Sequence, residues 1–272
     1  MTVLARRETS WRVHPPTLGA IVQVALLVSL WVTVGLGLIG SLVGLGFTAC
    51  TWVLLNRALN QPDVRRWGPA DSITFGRLIL TGGVASLVAD AIAGSVHHLA
   101  LVALAVVSLV LDAGDGQVAR RTGTASRFGA RFDMEADSVL AVVLSIYVAT
   151  HLGWWAVAMG LFRYFFAFAA RVTPWLNARL PPRLSRKVVA ASQGAVLVVT
   201  STALLPATMA QFCVALTLAA LSWSFGVDVR WLWRQEALRR KDARAGKVAN
   251  ANNGPGVDTG GSGLQAVGPA IL

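Results

Sequence analysis

Long apolar runs separated by short charged segments dominate this chain. A helix that crosses a bilayer needs about 20 mostly apolar residues. The uncharged stretch 17–56 is long enough for two such helices, and the glycine-rich region from Gly35 to Gly46 predicts the break between them. Six further apolar runs lie at residues 74–94, 98–118, 132–150, 152–172, 187–205 and 207–226. The pattern therefore predicts an all-α, polytopic membrane bundle with eight spans.

Composition supports a membrane protein and argues against a soluble one. Hydrophobic residues make up 55% of the chain and charged residues only 14%, which is too little charge to cover a water-facing surface. The net charge of +11 could suggest nucleic acid as a partner. However, the basic residues form short clusters between apolar runs, as in membrane proteins. We therefore expect no nucleic-acid binding.

The distribution of basic residues predicts the orientation of the bundle. With a cytoplasmic N-terminus and eight crossings, every Lys and Arg except Arg163 falls on the cytoplasmic side or at its border. The opposite loops, near residues 37, 95–98, 151 and 204–210, contain no Lys or Arg. Because positive charge marks cytoplasmic loops, we expect a multi-pass protein of the plasma or inner membrane. Both termini and the polar, reactive face would be cytoplasmic.

Four aspartates interrupt the apolar pattern at helical spacings. Asp112 and Asp115 are three residues apart, and Asp133 and Asp137 are four apart, so each pair shares one helix face. Carboxylates near a membrane are costly unless they pair with a cation. Clustered carboxylates suit Mg²⁺ or Mn²⁺, and two such ions can clamp a diphosphate. Glu135 would face away from the second pair on a helix, and we leave it out of the predicted site.

The residues between the two pairs fit a turn and a phosphate site. Gly116, Gly123 and Gly129 would allow the chain to reverse between two antiparallel spans, which brings the four aspartates together. Arg120 and Arg127 could hold phosphate oxygens. The alternative is a solvated network in which the aspartates pair with the neighbouring arginines. Four acids at two helical spacings make that alternative the weaker interpretation.

The same segment closely resembles a known family signature. It reads Asp112-x2-Asp115-Gly116-x2-Ala119-Arg120-x8-Gly129-x3-Asp133-x3-Asp137. This matches, at every fixed position, the signature of the CDP-alcohol phosphotransferase (CDP-alcohol phosphatidyltransferase) family. The upstream residues Asp71-Ser72-Ile73-Thr74-x2-Arg77 are also similar to the segment that enters the first core helix of that family.

The resemblance implies a domain organisation built on a six-helix core. The predicted parts are an N-terminal tail with two extra transmembrane helices (1–56), a cytoplasmic or interfacial segment (57–73), the catalytic core (74–227), a basic interfacial helix (228–247) and a disordered tail (248–272). The two extra helices lie outside the usual family core, so their role is open. Homodimers are typical of the family, which makes a homodimer the expected state.

The resemblance also implies roles for individual residues. Asp112, Asp115 and Asp133 become metal ligands, and Asp137 becomes the base that activates the acceptor hydroxyl while also touching the second ion. Residues that match CDP-contacting positions are Gly116, Arg120 and Ser126, with Ser72 as a weaker candidate. The cofactor would be Mg²⁺ or Mn²⁺, with two ions.

Acceptor-binding residues are suggested by basic positions near the core. The candidates are Arg163, which lies within an aromatic-rich span, and Arg183, Arg186 and Lys187 in the basic cluster 179–187. Interface pairing or membrane orientation alone can also explain these four residues.

The reaction predicted by the resemblance transfers a phosphatidyl group from CDP-diacylglycerol to an alcohol, with release of CMP. Glycerol 3-phosphate, inositol 3-phosphate, inositol and serine are candidate acceptors. Transfer from a soluble CDP-alcohol to diacylglycerol uses the same signature and stays open. A transporter with an acidic metal site is the alternative from a different class. It fits less well because the acids lie at the ends of spans rather than near the membrane centre.

Overall fold

The computed structural model describes residues 15–60, 68–122, 127–177 and 184–252. These residues form eight α-helices and two short 3₁₀ turns, and no strand occurs among them. The helices are α1 (Pro15–Val34), α2 (Leu38–Leu59), α3 (Pro69–Ile92), α4 (His98–Thr122), α5 (Arg127–Leu152), α6 (Val157–Val172), α7 (Leu184–Ser201) and α8 (Ala207–Asn252). The all-α fold class predicted from the sequence is confirmed.

Each of the eight predicted apolar runs corresponds to one helix. Five helices in the described part of the chain are long and apolar enough to cross a membrane, namely α1, α2, α3, α6 with its preceding 3₁₀ turn, and α8. Shorter apolar stretches lie in α4 and α7, at His98–Asp112 and Val188–Ser201. The first half of α5 carries Arg131 and the acids at 133, 135 and 137, which lower its hydropathy. The chain is a multi-pass integral membrane protein.

Helix α3 lies at the centre of the bundle. It packs against α1, α2, α4 and α5, and most of its middle turns are inaccessible to solvent, with Val84 and Leu87 fully buried. The main hydrophobic core joins these residues to Leu101 of α4 and Leu144 of α5. Polar residues in the middle of α3 and towards its C-terminus, such as Arg77 and Asp90, are therefore buried inside the bundle.

Helix α3 begins five residues earlier than the apolar run at 74–94 predicts. Pro69 occupies the first turn, and the backbone N–H of Gly68 donates to the Asp71 carboxylate at 2.8 Å. Proline in the first turn and an acid at the third position both favour a helix start. The predicted interfacial segment 57–73 thus contributes to the end of α2 and the start of α3, and residues 61–67 lie outside the described part.

The connection between α4 and α5 is shorter than the glycine pattern predicts. Gly116 lies inside α4 and Gly129 lies inside α5, so neither forms the turn. Only residues 123–126 separate the two helices, and they lie outside the described part. Glycine costs about 1 kcal/mol in a helix interior, but backbone groups in a bilayer need internal hydrogen bonds, which favours continued helix.

Helix α8 continues without a break through position 228 into the segment 228–247, which the sequence predicts as a basic interfacial helix. Its 46 residues span roughly 69 Å at about 1.5 Å per residue, against about 30 Å for the hydrocarbon core. The basic, tryptophan-bearing half therefore extends beyond the membrane. The helix also reaches Asn252, inside the tail predicted as 248–272, whose remaining residues lie outside the described part.

The α1–α2 hairpin is attached to α3 through Asp90. The chain turns at Gly35, whose φ of +71° favours glycine. The buried Asp90 carboxylate accepts hydrogen bonds from the N–H groups of Gly37 at 2.7 Å and Gly40 at 3.3 Å. Asp90 thus caps the N-terminus of α2 from a neighbouring helix.

Small residues let α2 approach α3 closely. A Cβ atom at Gly40 would lie 2.7 Å from the Ser86 carbonyl oxygen, and one at Gly44 would lie 2.4 Å from Ser86 Oγ. Close approach through glycine is a common way for membrane helices to associate. The hairpin is therefore packed as part of the bundle, on a helix that carries polar groups at both ends.

We expect Asp90→Ala to loosen the hairpin, because it leaves two backbone N–H groups at the α2 N-terminus without their acceptor. The cost should be about 1–3 kcal/mol, seen as a lower melting temperature of the purified protein in detergent. Asp90→Asn keeps an acceptor oxygen, so its melting temperature should fall less than that of Asp90→Ala. Equal melting temperatures for Asp90→Ala and the unmodified chain would contradict this attachment.

Candidate active site

Three carboxylates from two helices converge on one arginine from a third. Arg77 of α3 contacts Asp112 of α4 at 2.8 Å and Asp133 of α5 at 2.6 Å, both through Nη1. Its Nη2 donates to Asp137 Oδ1, one helical turn further along α5. We call Asp112, Asp133 and Asp137 the aspartate cluster. The spacing-based prediction that acids from the two segments come together is met by these three residues.

Arg77 holds the cluster from the buried side. Its side chain is 2% exposed, whereas those of Asp112, Asp133 and Asp137 are 35%, 36% and 48% exposed. Its Nε donates to the Ser108 carbonyl oxygen of α4 at 3.2 Å, so the guanidinium joins α3, α4 and α5. A buried guanidinium is costly unless its donors and charge are compensated. The carboxylates supply that compensation and keep an open side.

The cluster has the composition of a divalent-cation site. One carboxylate oxygen from each of the three aspartates lies within 4.8 Å of the others. Among the described side chains, three carboxylates and one guanidinium give a net charge of minus two at this point, which one divalent cation can neutralise. Carboxylate oxygens are the ligands that Mg²⁺ and Mn²⁺ prefer. The residues therefore fit a divalent metal.

The remaining residues of the predicted catalytic motif lie on or beside α4. Asp115 follows Asp112 by three residues on the same helix, and Gly116 and Arg120 follow in the next turns. Nothing is described of the Asp115 and Arg120 side chains, and Ser126 lies outside the described residues. Ser72 is exposed in the first turn of α3, where its hydroxyl donates to the Gly68 carbonyl oxygen at 3.4 Å.

Arg163 pairs with α5 next to the cluster. Its Nη2 donates to Glu135 at 2.7 Å, and its Nη1 donates to Ser138 Oγ at 2.7 Å and to the Met134 carbonyl oxygen at 3.0 Å. Glu135 lies outside the aspartate cluster, on a different side of α5 from Asp133 and Asp137. Arg163 thus fixes α6 against α5 through groups that directly adjoin the cluster in sequence.

Arg186 pairs with an acid on α8. Its Nε lies 3.0 Å from Asp228 Oδ2, and its Nη2 donates to Asp228 Oδ1 at 3.2 Å. The Asp228 side chain is 7% exposed and that of Arg186 is 36% exposed. The other two predicted acceptor residues are not described here, since Arg183 lies outside the described part and only the helical backbone is described at Lys187.

Sequence reasoning missed the role of Arg77 in the site. The residue was visible as the last position of the segment Asp71-Ser72-Ile73-Thr74-x2-Arg77. A further signal was available, because an arginine followed by a long uncharged apolar run needs a partner inside the bundle. The only arginine partners that the sequence analysis considered for the acids were those of the weaker alternative, a solvated network with Arg120, Arg121, Arg127 and Arg131. Among the described side chains, Arg77 pairs with all three clustered acids.

Comparison with known families identifies this arrangement. The family profile of CDP-alcohol phosphatidyltransferases matches residues 67–227, which is more than half of the chain. The chain belongs to the CDP-alcohol phosphatidyltransferase family. The match runs from the start of α3 into α8 and contains the whole aspartate cluster, whereas α1 and α2 precede it. No curated protein and no solved structure matches the chain.

The CDP-alcohol phosphatidyltransferases are a family of membrane phosphotransferases. Members act on a CDP-alcohol and an alcohol acceptor and typically use a divalent metal, which agrees with the acidic group formed by Asp112, Asp133 and Asp137. The resemblance stated from the motif is therefore confirmed at the level of the family. The α3 helix, with Arg77 in its first half, lies within the matched region.

We expect Arg77→Met to lower the melting temperature more than Arg163→Met. Loss of Arg77 leaves three carboxylates facing one another, whereas the Arg163 partner Glu135 is 55% exposed and such exposed pairs contribute only about 0–1 kcal/mol. Millimolar Mg²⁺ should restore part of the loss in Arg77→Met, because cations offset the repulsion. Equal losses in the two variants, with no Mg²⁺ effect, would contradict the account.

Proposed function

We propose that this protein transfers a phosphatidyl group from CDP-diacylglycerol to an alcohol acceptor, with release of CMP, in phospholipid biosynthesis. The observation that carries the proposal is the convergence of Asp112, Asp133 and Asp137 within the region matched by the family. These carboxylates belong to two different helices and have an exposed side. A diphosphate can therefore approach them from the polar end of the bundle.

The metal roles follow from the carboxylates. Asp112, Asp115 and Asp133 would hold two ions, Mg²⁺ or Mn²⁺, and Asp137 would share the second one. When bound, such ions supply positive charge that offsets the charge of a diphosphate. Arg77 lies behind the cluster and orients its three described members through the contacts given above.

Asp137 is the proposed base, and its place in the cluster supports this role. It is the most exposed of the three, at 48%, so a hydroxyl can reach it. The acceptor oxygen forms a bond to the β-phosphorus of the donor. The bond between that phosphorus and the oxygen bridging to the α-phosphorus breaks, and CMP leaves with its electron pair. The hydroxyl proton passes to the Asp137 carboxylate.

The CDP portion would contact Gly116, Arg120, Ser126 and Ser72. Gly116 and Arg120 follow Asp112 and Asp115 in the last turns of α4. In this proposal the CDP portion would therefore bind at the C-terminal end of that helix. Ser72 lies five residues before Arg77, which is roughly 7.5 Å along α3 at about 1.5 Å per residue. Its hydroxyl is exposed, and in this proposal it would contact the CDP portion.

The acceptor is proposed to be a phosphorylated alcohol such as glycerol 3-phosphate or an inositol phosphate. Arg183, Arg186 and Lys187 belong to the basic cluster 179–187, and Arg163 of α6 contacts α5. The pair with Asp228 would orient the half-exposed Arg186 guanidinium for a bidentate contact with phosphate. We further propose a cytoplasmic site, cytoplasmic termini and a homodimer, on the basis of the charge distribution and the family.

The direct test is CMP release by the detergent-purified protein. CDP-diacylglycerol is supplied with Mg²⁺ or Mn²⁺ and with each acceptor in turn. Metal-dependent release with one acceptor would support the proposal and identify the acceptor. If CMP is released only when a soluble CDP-alcohol is supplied together with diacylglycerol, the donor is the soluble CDP-alcohol and the acceptor is the lipid. A protein that releases no CMP and binds no CDP would contradict the function.

We expect Asp137→Asn to lower turnover by roughly 100-fold or more, because a general base contributes about 10²–10⁴-fold. CDP-donor binding should remain detectable, since Asp112 and Asp133 keep their carboxylates. Glu236→Gln is the matched control, because Glu236 pairs with Arg240 on the basic half of α8, away from the cluster. Near-normal turnover in Asp137→Asn would remove Asp137 from the role of base.

A further inference from the structure

A large apolar groove adjoins the aspartate cluster. It has a volume of about 510 Å³, within the roughly 300–1,000 Å³ typical of ligand clefts. One wall belongs to α2 and the opposite wall to α5, with contributions from Leu78 of α3 and Tyr164 of α6. We infer that this groove holds a hydrocarbon chain of the lipid substrate and that α2, outside the family match, is part of the lipid-binding site.

The α2 wall is one continuous helix face. Its members are Phe47, Cys50, Thr51, Leu54, Leu55 and Ala58. These positions recur every three or four residues, which places them on one side of an α-helix. All but one are apolar or weakly polar sulfur-bearing side chains, so the wall suits a hydrocarbon chain rather than a charged ligand.

The α5 wall connects the groove to the reactive residues. It contains Phe128, Phe132, Ala136 and Val139. Phe132 and Ala136 directly precede Asp133 and Asp137, and Leu78 of α3 directly follows Arg77. The groove therefore flanks the aspartate cluster on two helices at once. A lipid whose phosphates lie at the cluster can extend a chain into the groove without crossing another helix.

The length of the groove fits one leaflet of a bilayer. On α2 it extends from Phe47 to Ala58 and on α5 from Phe128 to Val139, or eleven residue steps on each helix. At about 1.5 Å per residue this is roughly 17 Å, close to half of the 30 Å hydrocarbon core. Both helices thus offer an apolar wall of the depth that a single lipid tail occupies.

Charge favours an anionic lipid at the polar end of the groove. Arg131 lies between Phe128 and Phe132 on α5, is exposed, and lines the groove. Glu135 also lines it but is paired with Arg163 at 2.7 Å. A cation near the polar end and apolar side chains along the rest match a phosphate-bearing headgroup followed by a tail.

The attachment of α2 through Asp90 explains how the wall is held. Asp90 and Arg77 lie thirteen residues apart on α3, or roughly 20 Å at about 1.5 Å per residue. Asp90 caps α2 at the far end of the bundle, and α2 then descends toward the cluster end. A helix that precedes the family core is in this way fixed beside the reactive carboxylates.

The inference rests on the proposed function for the identity of the lipid, and its first test reads binding rather than turnover. CDP-diacylglycerol with a photoreactive group in one acyl chain is irradiated with the full-length protein, and labelled peptides are mapped. We expect label within residues 47–58 that excess CDP suppresses, because CDP competes for the headgroup site. Label that CDP leaves unchanged would mean an ordinary bilayer lipid and would overturn the inference.

A pair of matched variants provides the second test. Leu54 lines the groove and is 60% exposed, whereas Leu42 lies on α2 outside the groove lining and is 59% exposed. We expect Leu54→Trp to raise the KM for CDP-diacylglycerol roughly tenfold and to leave the acceptor KM unchanged. Leu42→Trp should leave both unchanged. Equal effects of the two variants would overturn the inference.

The tests also separate this inference from the proposed function. CDP-sensitive label in 47–58 from a protein that releases no CMP would support the lipid groove and contradict the proposed reaction. CMP release from a protein that shows no label in 47–58 would support the proposed reaction and overturn the inference about the groove. Disulfide formation between Leu54→Cys chains of two protomers in membranes would instead assign this face to a second copy and overturn the inference.

Discussion

The burial of Arg77 among apolar helices is the constraint on which the rest of the structure depends. A guanidinium in this position needs carboxylate partners and acceptors on every side. It obtains them from Asp112 and the Ser108 carbonyl of α4 and from Asp133 and Asp137 of α5. Because the same carboxylates form the candidate metal site, the interaction that stabilises the three-helix contact also sets the geometry of the site.

Helix α3 applies the same physical principle at its other end. Asp90 is buried there and accepts hydrogen bonds from the first N–H groups of α2, as Arg77 is buried at the cluster end. Both residues compensate charge inside the bundle with polar groups from neighbouring helices, since lipid offers none. The Arg77 contacts join α3, α4 and α5 within the family core. The Asp90 contacts join α3 to the α1–α2 hairpin, which precedes that core. The hairpin therefore has a fixed place beside the candidate active site.

The sequence predicted the helices and the clustered acids, because both depend on local spacing. Apolar runs of span length gave all eight helices, and intervals of three and four placed the aspartates on common faces. It did not predict partners that come from distant helices. Arg77 with the acids, Arg163 with Glu135 and Arg186 with Asp228 all depend on packing between elements. Helix limits also differed where a cap, as at Asp71, or the bilayer's demand for backbone hydrogen bonds outweighed residue propensity.

Helix α5 shows why headgroup chemistry and tail binding can be separated in one protein. Successive residues on a helix point about 100° apart, so Asp133 and Asp137 face the cluster while Phe132 and Ala136 face the groove. Substitutions on the groove side can therefore change which lipid tails fit without moving the carboxylates. Since α2 forms the opposite wall and is not part of the matched core, tail selectivity can vary between family members that share the same aspartates. On the inference made above, α2 is then part of the lipid-binding site rather than a simple anchor.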